Sequence, residues 1–166
     1  WRSRLTLSEA RDERDNKGAY TYLLKTRTIT SRWENTIDFG FHELVAGAEY
    51  SKDKVSGTSG FDINSRKNTA VFAQGLLDFT PIQIQASLRH DNNEAYGEEV
   101  TGSLALGYDI NNYHTLRANY GTAFRAPTYN DLYNIFAPNP DLKAENSESL
   151  EVGIRGNYNS FYWDFA

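Results

Sequence analysis

Along most of this chain apolar and polar side chains alternate one by one. Trp1, Ser3, Leu5 and Leu7 fall on one side of an extended backbone, and Arg2, Arg4, Thr6 and Ser8 on the other. A period of two sends successive side chains to opposite faces, which predicts a strand with one wet face from Trp1 to about Ala10. Arg11 to Gly18 (RDERDNKG) reads as a charged loop. A very long strand follows from about Tyr22 to Phe39, with Ile29, Trp33, Ile37 and Phe39 opposite Thr28, Arg32, Glu34 and Asp38. A short turn at Gly40 to Glu43 leads to Leu44, Ala46, Ala48 and Tyr50, set against Val45, Gly47, Glu49 and Ser51. Val55 to Ser65 is a second polar loop. After it Val71, Ala73, Leu77 and Phe79 oppose Ala70, Gln74 and Asp78.

Thr80-Pro81 predicts a tight turn, and the next strand alternates most cleanly: Ile82, Ile84, Ala86 and Leu88 against Gln83, Gln85, Ser87 and Arg89. Asp91 to Glu98 (DNNEAYGE) reads as a third polar loop. Leu104, Leu106 and Tyr108 follow, then a short turn at Asp109 to Asn112, then Leu116, Ala118 and Tyr120. Arg125-Ala126-Pro127 breaks the pattern, because proline donates nothing to a sheet ladder. The loop beyond it carries Tyr129, Tyr133, Phe136, Pro138 and Pro140 and is roughly 20 residues long, a length that is usually functional. Strand resumes near Ser149, with Leu150, Val152 and Ile154 against Glu151, Gly153 and Arg155, and after a turn near Asn157 to Ser160 a last strand opens at Phe161.

The pattern predicts an all-β chain of about nine antiparallel up-and-down strands, with no credible helix and no interdomain linker. Connections alternate long and short. Strands of about ten residues or more, with short turns at one end and longer loops at the other, are the signature of a transmembrane β-barrel segment. A soluble β-sandwich is the competing architecture, but it would show shorter strands and no bias of loop length to one end. Arg4, Arg32, Glu34, Asp38, Gln83, Gln85, Arg89, Arg117, Glu151 and Arg155 all fall on the face opposite the apolar one. They would suit a watery lumen or an outer solvent surface.

Composition changes this picture little. The 166 residues are 39% hydrophobic and carry a formal charge of −5. A membrane barrel turns only alternate residues to lipid, so a polar average does not argue against it. No apolar run approaches the ~18 residues of a helical span. Without cysteine there is no disulfide framework, thiolate metal site or cysteine nucleophile. The acidic balance, with no basic block, argues against nucleic acid as partner. No leader sequence is evident: the chain opens already alternating and stops in mid-pattern, which suggests a fragment.

Catalytic constellations are missing from the sequence. His42, His90 and His114 are scattered, no Gly-x-Ser-x-Gly elbow or phosphate loop occurs, and Glu98–Glu99 reads as an exposed acidic loop. No enzymic role is expected; a barrel lipase with a Ser-His pair is the one enzymic alternative. What remains is a binding surface at the long-loop ends, formed by Phe61, Asp62, Asn64, Asp91, Asn92, Asn93, Tyr96, Tyr129, Asn130, Tyr133, Asn134 and Phe136. Tyrosine offers broad contact area with one hydroxyl, and asparagine a donor and an acceptor, a mix suited to a bulky, polar, roughly neutral solute. Trp33, Tyr50, Tyr108, Tyr120 and Trp163 lie on the apolar face and fit an interfacial aromatic girdle instead.

Tyr120-Gly121-Thr122-Ala123-Phe124-Arg125-Ala126-Pro127, then Leu132-Tyr133, then Asn139-Pro140-Asp141-Leu142-Lys143-Ala144-Glu145 resemble the extracellular rim of the TonB-dependent outer-membrane receptors. That family commonly has proline where this chain has Ala144. The resemblance extends back through Ser31 to Asn35, Val45 to Glu49, Arg66 to Thr69 and Arg89 to Asn93, and over about Thr30 to Gly153 it is most similar to the cobalamin receptors. It implies a plugged barrel of about 22 strands in the bacterial outer membrane, importing its solute with energy from TonB. Residues 1–166 would then be a partial barrel domain without the plug that TonB contacts. The implied partners are cobalamin or a ferric siderophore, membrane lipid, and TonB through the plug. A non-transporting adhesin or anchor is the alternative barrel. By position, Asn93 matches a ligand-facing loop asparagine of the cobalamin receptors, and Phe61 with Asp62 falls in a loop that touches ligand there. The expected ligand set is Phe61, Asp62, Asn93, Tyr96, Tyr129 and Tyr133. Those receptors also bind calcium through clustered loop aspartates. Here the first loop offers Asp12 and Asp15 alone, so no cofactor is expected, with calcium the alternative the resemblance leaves open.

Overall fold

The structure, a computed structural model, describes residues 1–18, 21–58, 64–133 and 139–166. Among them nine strands form one sheet in chain order, each antiparallel to the next. They are β1 (Arg2–Lys17), β2 (Thr21–Phe39), β3 (His42–Gly57), β4 (Ser65–Phe79), β5 (Ile82–Asn93), β6 (Gly97–Asn111), β7 (His114–Arg125), β8 (Glu145–Tyr158) and β9 (Phe161–Phe165). The sheet is open, with β1 and β9 at its edges.

Register carries the alternation of each strand into continuous rows. One row runs Ile37, Leu44, Gly75, Ala86, Leu104, Tyr120, Leu150. The adjacent row on the other face runs Thr36, Val45, Gln74, Ser87, Ser103, Gly121, Ser149. Among the described residues no protein layer covers the apolar face: Leu88 is 61% exposed and Val152 64%. A soluble sandwich would bury this face against a second sheet, and the sheet here has none. Phe41, Phe79, Tyr108, Phe161 and Trp163 sit at or near the short turns, whereas Trp33, Tyr50 and Tyr120 stand farther up their strands. From Phe41 to Tyr50 the chain climbs roughly 30 Å at ~3.3 Å per residue, or about 23 Å of height at a tilt near 40°. That is the height of a barrel's apolar band.

Several boundaries differ from the sequence reading; β3, for one, runs on to Gly57, past Val55 where a loop was expected. Arg11 to Lys17 is strand rather than loop, because it pairs residue for residue with Thr21 to Arg27. Within it Glu13 pairs across the ladder with Lys25 at 3.0 Å. The predicted loop at Asp91 to Glu98 is a tight turn, since β5 runs to Asn93 and β6 starts at Gly97. Asn93 Oδ1 accepts the Ala95 amide at 3.0 Å, and Gly97 takes φ +87°, a conformation that favours glycine. The rim loop holds a short helix, α1 (Tyr129–Tyr133), where none was expected. Strand then resumes at Glu145, four residues before Ser149.

Candidate solute-binding rim

The rim is built where the upper ends of β2, β3 and β4 meet the segment from Ala126 to α1. The chain leaves β7 at Arg125, passes Pro127 and starts α1 with a reciprocal capping pair. The Thr128 amide donates to Asp131 Oδ2 at 2.8 Å and the Asp131 amide donates to Thr128 Oγ1 at 3.2 Å, satisfying two donors a helix start leaves orphaned. These bonds hold the Asp131 carboxyl below its ordinary range. Leu132 is fully buried beneath this turn.

Arg66 ties the loop to the sheet. Its Nε lies 3.2 Å from Asp53 Oδ2, its Nη1 donates to the Pro127 carbonyl at 2.9 Å, and its guanidinium carbon sits 4.7 Å from the centre of the Tyr129 ring. Thr28 Oγ1 donates to the second Asp53 oxygen at 2.8 Å. Asp53, Arg66 and Thr28 share one row of the polar face, so α1 folds over that face. Burial pushes the Tyr129 phenol up to about 12, against the opposing pull of the Arg66 charge.

Beside this latch a polar ladder crosses five strands. Arg4 pairs with Glu34, Glu34 with Arg32, Arg32 with Glu49 and Glu49 with Arg89. Arg89 grips Asp91 with two bonds of 2.8 Å, the planar fork matching the carboxylate. Asp91, 3% exposed, also accepts Asn68 Nδ2 at 2.8 Å. Every one of these residues is on the face opposite the apolar rows. A row of charged groups satisfied by one another and by water is what a wet lumen wall requires.

The structure places four of the six anticipated ligand residues. Tyr129 and Tyr133 open and close α1, their ring centres 6.1 Å apart and their planes tilted by 54°. Tyr96 lies in the β5–β6 turn, 5.8 Å from the Phe124 ring; burial raises its phenol, and the charges of Arg66, Asp91 and Asp53 act on it as well. The charges of Arg66 and Asp53 act on both Tyr96 and Tyr129. Asn93 is 6% exposed, its Nδ2 donating to Asn68 Oδ1 at 3.1 Å and its Oδ1 taken by Ala95. Phe61 and Asp62, with Asn134 and Phe136, lie outside the described residues. Arg66 and Asp53 are the rim residues the candidate list missed. The Thr128-x-x-Asp131 spacing after Pro127 could have signalled the helix, but nothing in spacing pairs Arg66 with a residue 63 positions on.

The three histidines stay apart. His42 Nδ1 accepts the Asp78 amide at 3.0 Å between the Phe39 and Phe79 rings, His90 lies 3.6 Å from Glu98, and His114 meets the Tyr158 hydroxyl at 2.9 Å. Asp12 and Asp15 fall on opposite faces of β1, and Asp15 pairs with Lys17 at 3.4 Å. Among the described residues no three His, Cys, Asp or Glu side chains converge in a way that could hold a metal.

The profile of the TonB-dependent receptor-like β-barrel family matches residues 2–166. The chain is 34% identical over 169 aligned positions to the vitamin B12 transporter BtuB of Photobacterium profundum, covering 99% of this chain and 28% of that protein. It is 36% identical over 130 positions to the vitamin B12 transporter BtuB of Vibrio vulnificus, covering 74% of this chain and 21% of that protein. Among solved structures, the siderophore receptor PirA of Pseudomonas aeruginosa superposes with a TM-score of 0.78 at 21% identity, over 96% of this chain and 33% of that one. The ferric enterobactin receptor PfeA of the same organism superposes at 0.73 with 20% identity, over 96% and 30%. The chain thus spans between a fifth and a third of the proteins it matches, and at these identities the two structures speak for the fold alone. With an open up-and-down sheet, a bare apolar face, an ion-paired polar face and a family match over nearly its whole length, the chain belongs to the TonB-dependent receptor β-barrel family.

Proposed function

We propose that this chain is part of the wall and rim of an outer-membrane receptor that binds cobalamin or a related corrinoid at its outer face and imports it. The observation that carries the reading is the 34% identity, sustained over 99% of the chain, to a protein named as a vitamin B12 transporter. The apolar rows meet lipid in this reading and the ion-paired rows line the lumen. Hydrocarbon tolerates no unpaired strand edge, so the free edges of β1 and β9 pair with further strands of the same barrel. TonB acts through a plug domain, and no enzymic step is assigned.

At the rim, Tyr96, Tyr129 and Tyr133 supply aromatic contact and hydroxyls, and Phe61 and Asp62 complete the expected ligand set. Asn93 is a positioning residue, since its amide braces Asn68 and, through it, Asp91. Titration calorimetry of the complete receptor with cyanocobalamin tests the proposal, with saturable one-to-one binding as the expected result. Tight ferric-siderophore binding without corrinoid binding would move the assignment to a siderophore receptor. Binding of neither, with normal corrinoid uptake in cells lacking the protein, would indicate a non-transporting barrel.

A further inference from the structure

Above the level of Arg89 the polar face of the sheet carries mainly charged and hydroxylated side chains, Arg14, Thr28, Asp53 and Arg66 among them. Among the described strand residues at that height, only Leu24 and Val55 turn a branched aliphatic side chain to this face. They are neighbours. Val55 stands across the ladder from Thr26, and Leu24 lies two residues from Thr26 on the same face of β2. Gly57, directly across from Leu24, puts no side chain into the space beside it. The segment that follows β7 is held near this pair by the Arg66 bond to the Pro127 carbonyl. Between that segment and the sheet lies an open cleft of about 280 Å³, lined by Leu24 and Val55 from the strands and by Ala126 and Pro127 from the loop. Arg66 and Tyr129 line it as well.

We propose that this cleft takes the benzimidazole base of the corrinoid, entered by its methylated edge. The inference rests on the reading that the rim binds a corrinoid, and it names the part of that solute the cleft holds. A corrin ring is fringed with amides and the ribose phosphate is ionic. The base is the flat apolar appendage, and its two ring methyls point away from the cobalt. Clefts that enclose a whole drug-sized ligand measure ~300–1,000 Å³, so a space of about 280 Å³ suits a part of this solute rather than all of it. Leu24, Val55, Ala126 and Pro127 offer the apolar surface that removes such an edge from water. Arg66 and Tyr129, with 4.7 Å from guanidinium carbon to ring centre, add planar groups against which a flat ring packs. Tyr129 belongs to the rim and to the cleft alike, so the two are continuous.

The test is titration calorimetry of the complete receptor with cyanocobalamin and with cobinamide, which keeps the corrin and lacks the base and its nucleotide linker. The native receptor should bind cobinamide at least about tenfold more weakly. Leu24→Phe narrows the cleft and should lower cyanocobalamin affinity roughly tenfold, while cobinamide affinity moves by less than about twofold. Leu24→Ala removes contact without adding bulk and should show the same selectivity, with a loss of about threefold. Hydrogen exchange at the Leu132 amide, unchanged in both variants, shows that the loop is still docked. Should Leu24→Phe release the loop, Leu24→Ala alone decides. Equal losses for the two ligands would mean that Leu24 only supports the loop, and they overturn the proposal. So does full cyanocobalamin affinity in both variants, or cobinamide bound by the native receptor as tightly as cyanocobalamin. Binding of neither corrinoid to the native receptor would instead remove the reading beneath it, and the proposal with it.

Discussion

Replacing Arg66 by alanine removes the one side chain that joins α1 to the sheet in three ways. It deletes the ion pair with Asp53 at 3.2 Å, the bond to the Pro127 carbonyl at 2.9 Å and the stacking on Tyr129 at 4.7 Å. A hydrogen bond to a charged group contributes about 1.5–3 kcal/mol, and a partly desolvated cation–π contact about 0.5–2. Arg66 is only 16% exposed, so solvent replaces little of this at once. The three contacts share one side chain and do not add, and Asp53 keeps its bond from Thr28. The expected loss of loop docking is about 3 kcal/mol, or roughly 150-fold in the docking equilibrium. The readout is hydrogen exchange at the Leu132 amide, which donates to the Thr128 carbonyl at 3.1 Å inside the docked turn. In the complete receptor this amide should exchange on the order of a hundredfold faster in Arg66→Ala. Amides in the middle of β6 should be unchanged. Arg66→Lys should fall between, because an ammonium can reach Asp53 but lacks the planar fork. Leu132 exchange unaltered, or equal acceleration at Leu104, would refute the latch.

Other outcomes follow from the same geometry. Tyr129 is an acid held protonated by its surroundings, so an undocked loop ionises it near 10 while the docked loop resists to about 12. The undocked state binds fewer protons across that window, so docking weakens as pH rises from 10 to 12. Leu132 exchange should show that slope in the native receptor and lose it in Tyr129→Phe. Asp131 has the opposite sign: its carboxyl is held low by the Thr128 bonds, so its contribution is present above the ordinary carboxylate range and is lost as pH falls through its depressed value. Asp131→Asn should flatten the acid limb of the same exchange profile. Leu104→Arg should cost about 2–4 kcal/mol of folding in lipid vesicles, measured by denaturant titration, while Ser103→Arg one residue away should cost far less. Ser103 lies on the polar face, bonded to Ser87 at 2.7 Å. Asp91→Ala removes a 3%-exposed acceptor from Asn68 and from the Arg89 fork, but Arg89 is 31% exposed and keeps Glu49 at 2.9 Å, so the cost in the same titration should be about 1–3 kcal/mol.

Local alternation is written into every strand, so the sequence alone determined the all-β class and the face each side chain takes. Ile84, Leu88, Leu104, Leu116 and Val152 fall on the uncovered apolar face that the period of two demands, because a pleated backbone leaves them no other direction. The same reasoning failed at Arg11 to Lys17 and at Asp91 to Asn93. Charged and asparagine-rich runs look like loops until a partner strand supplies compensating groups, and that partner is known only from register. The site was legible as a loop rich in tyrosine and asparagine, and no further. That Asn93 faces Asn68 was decided by the register of β4 against β5, and that Arg66 grips Pro127 by the docking of the rim loop on the sheet. Each of those contacts joins residues distant in the chain, and pairings at that range are fixed by shape and charge in three dimensions rather than by any periodicity along one.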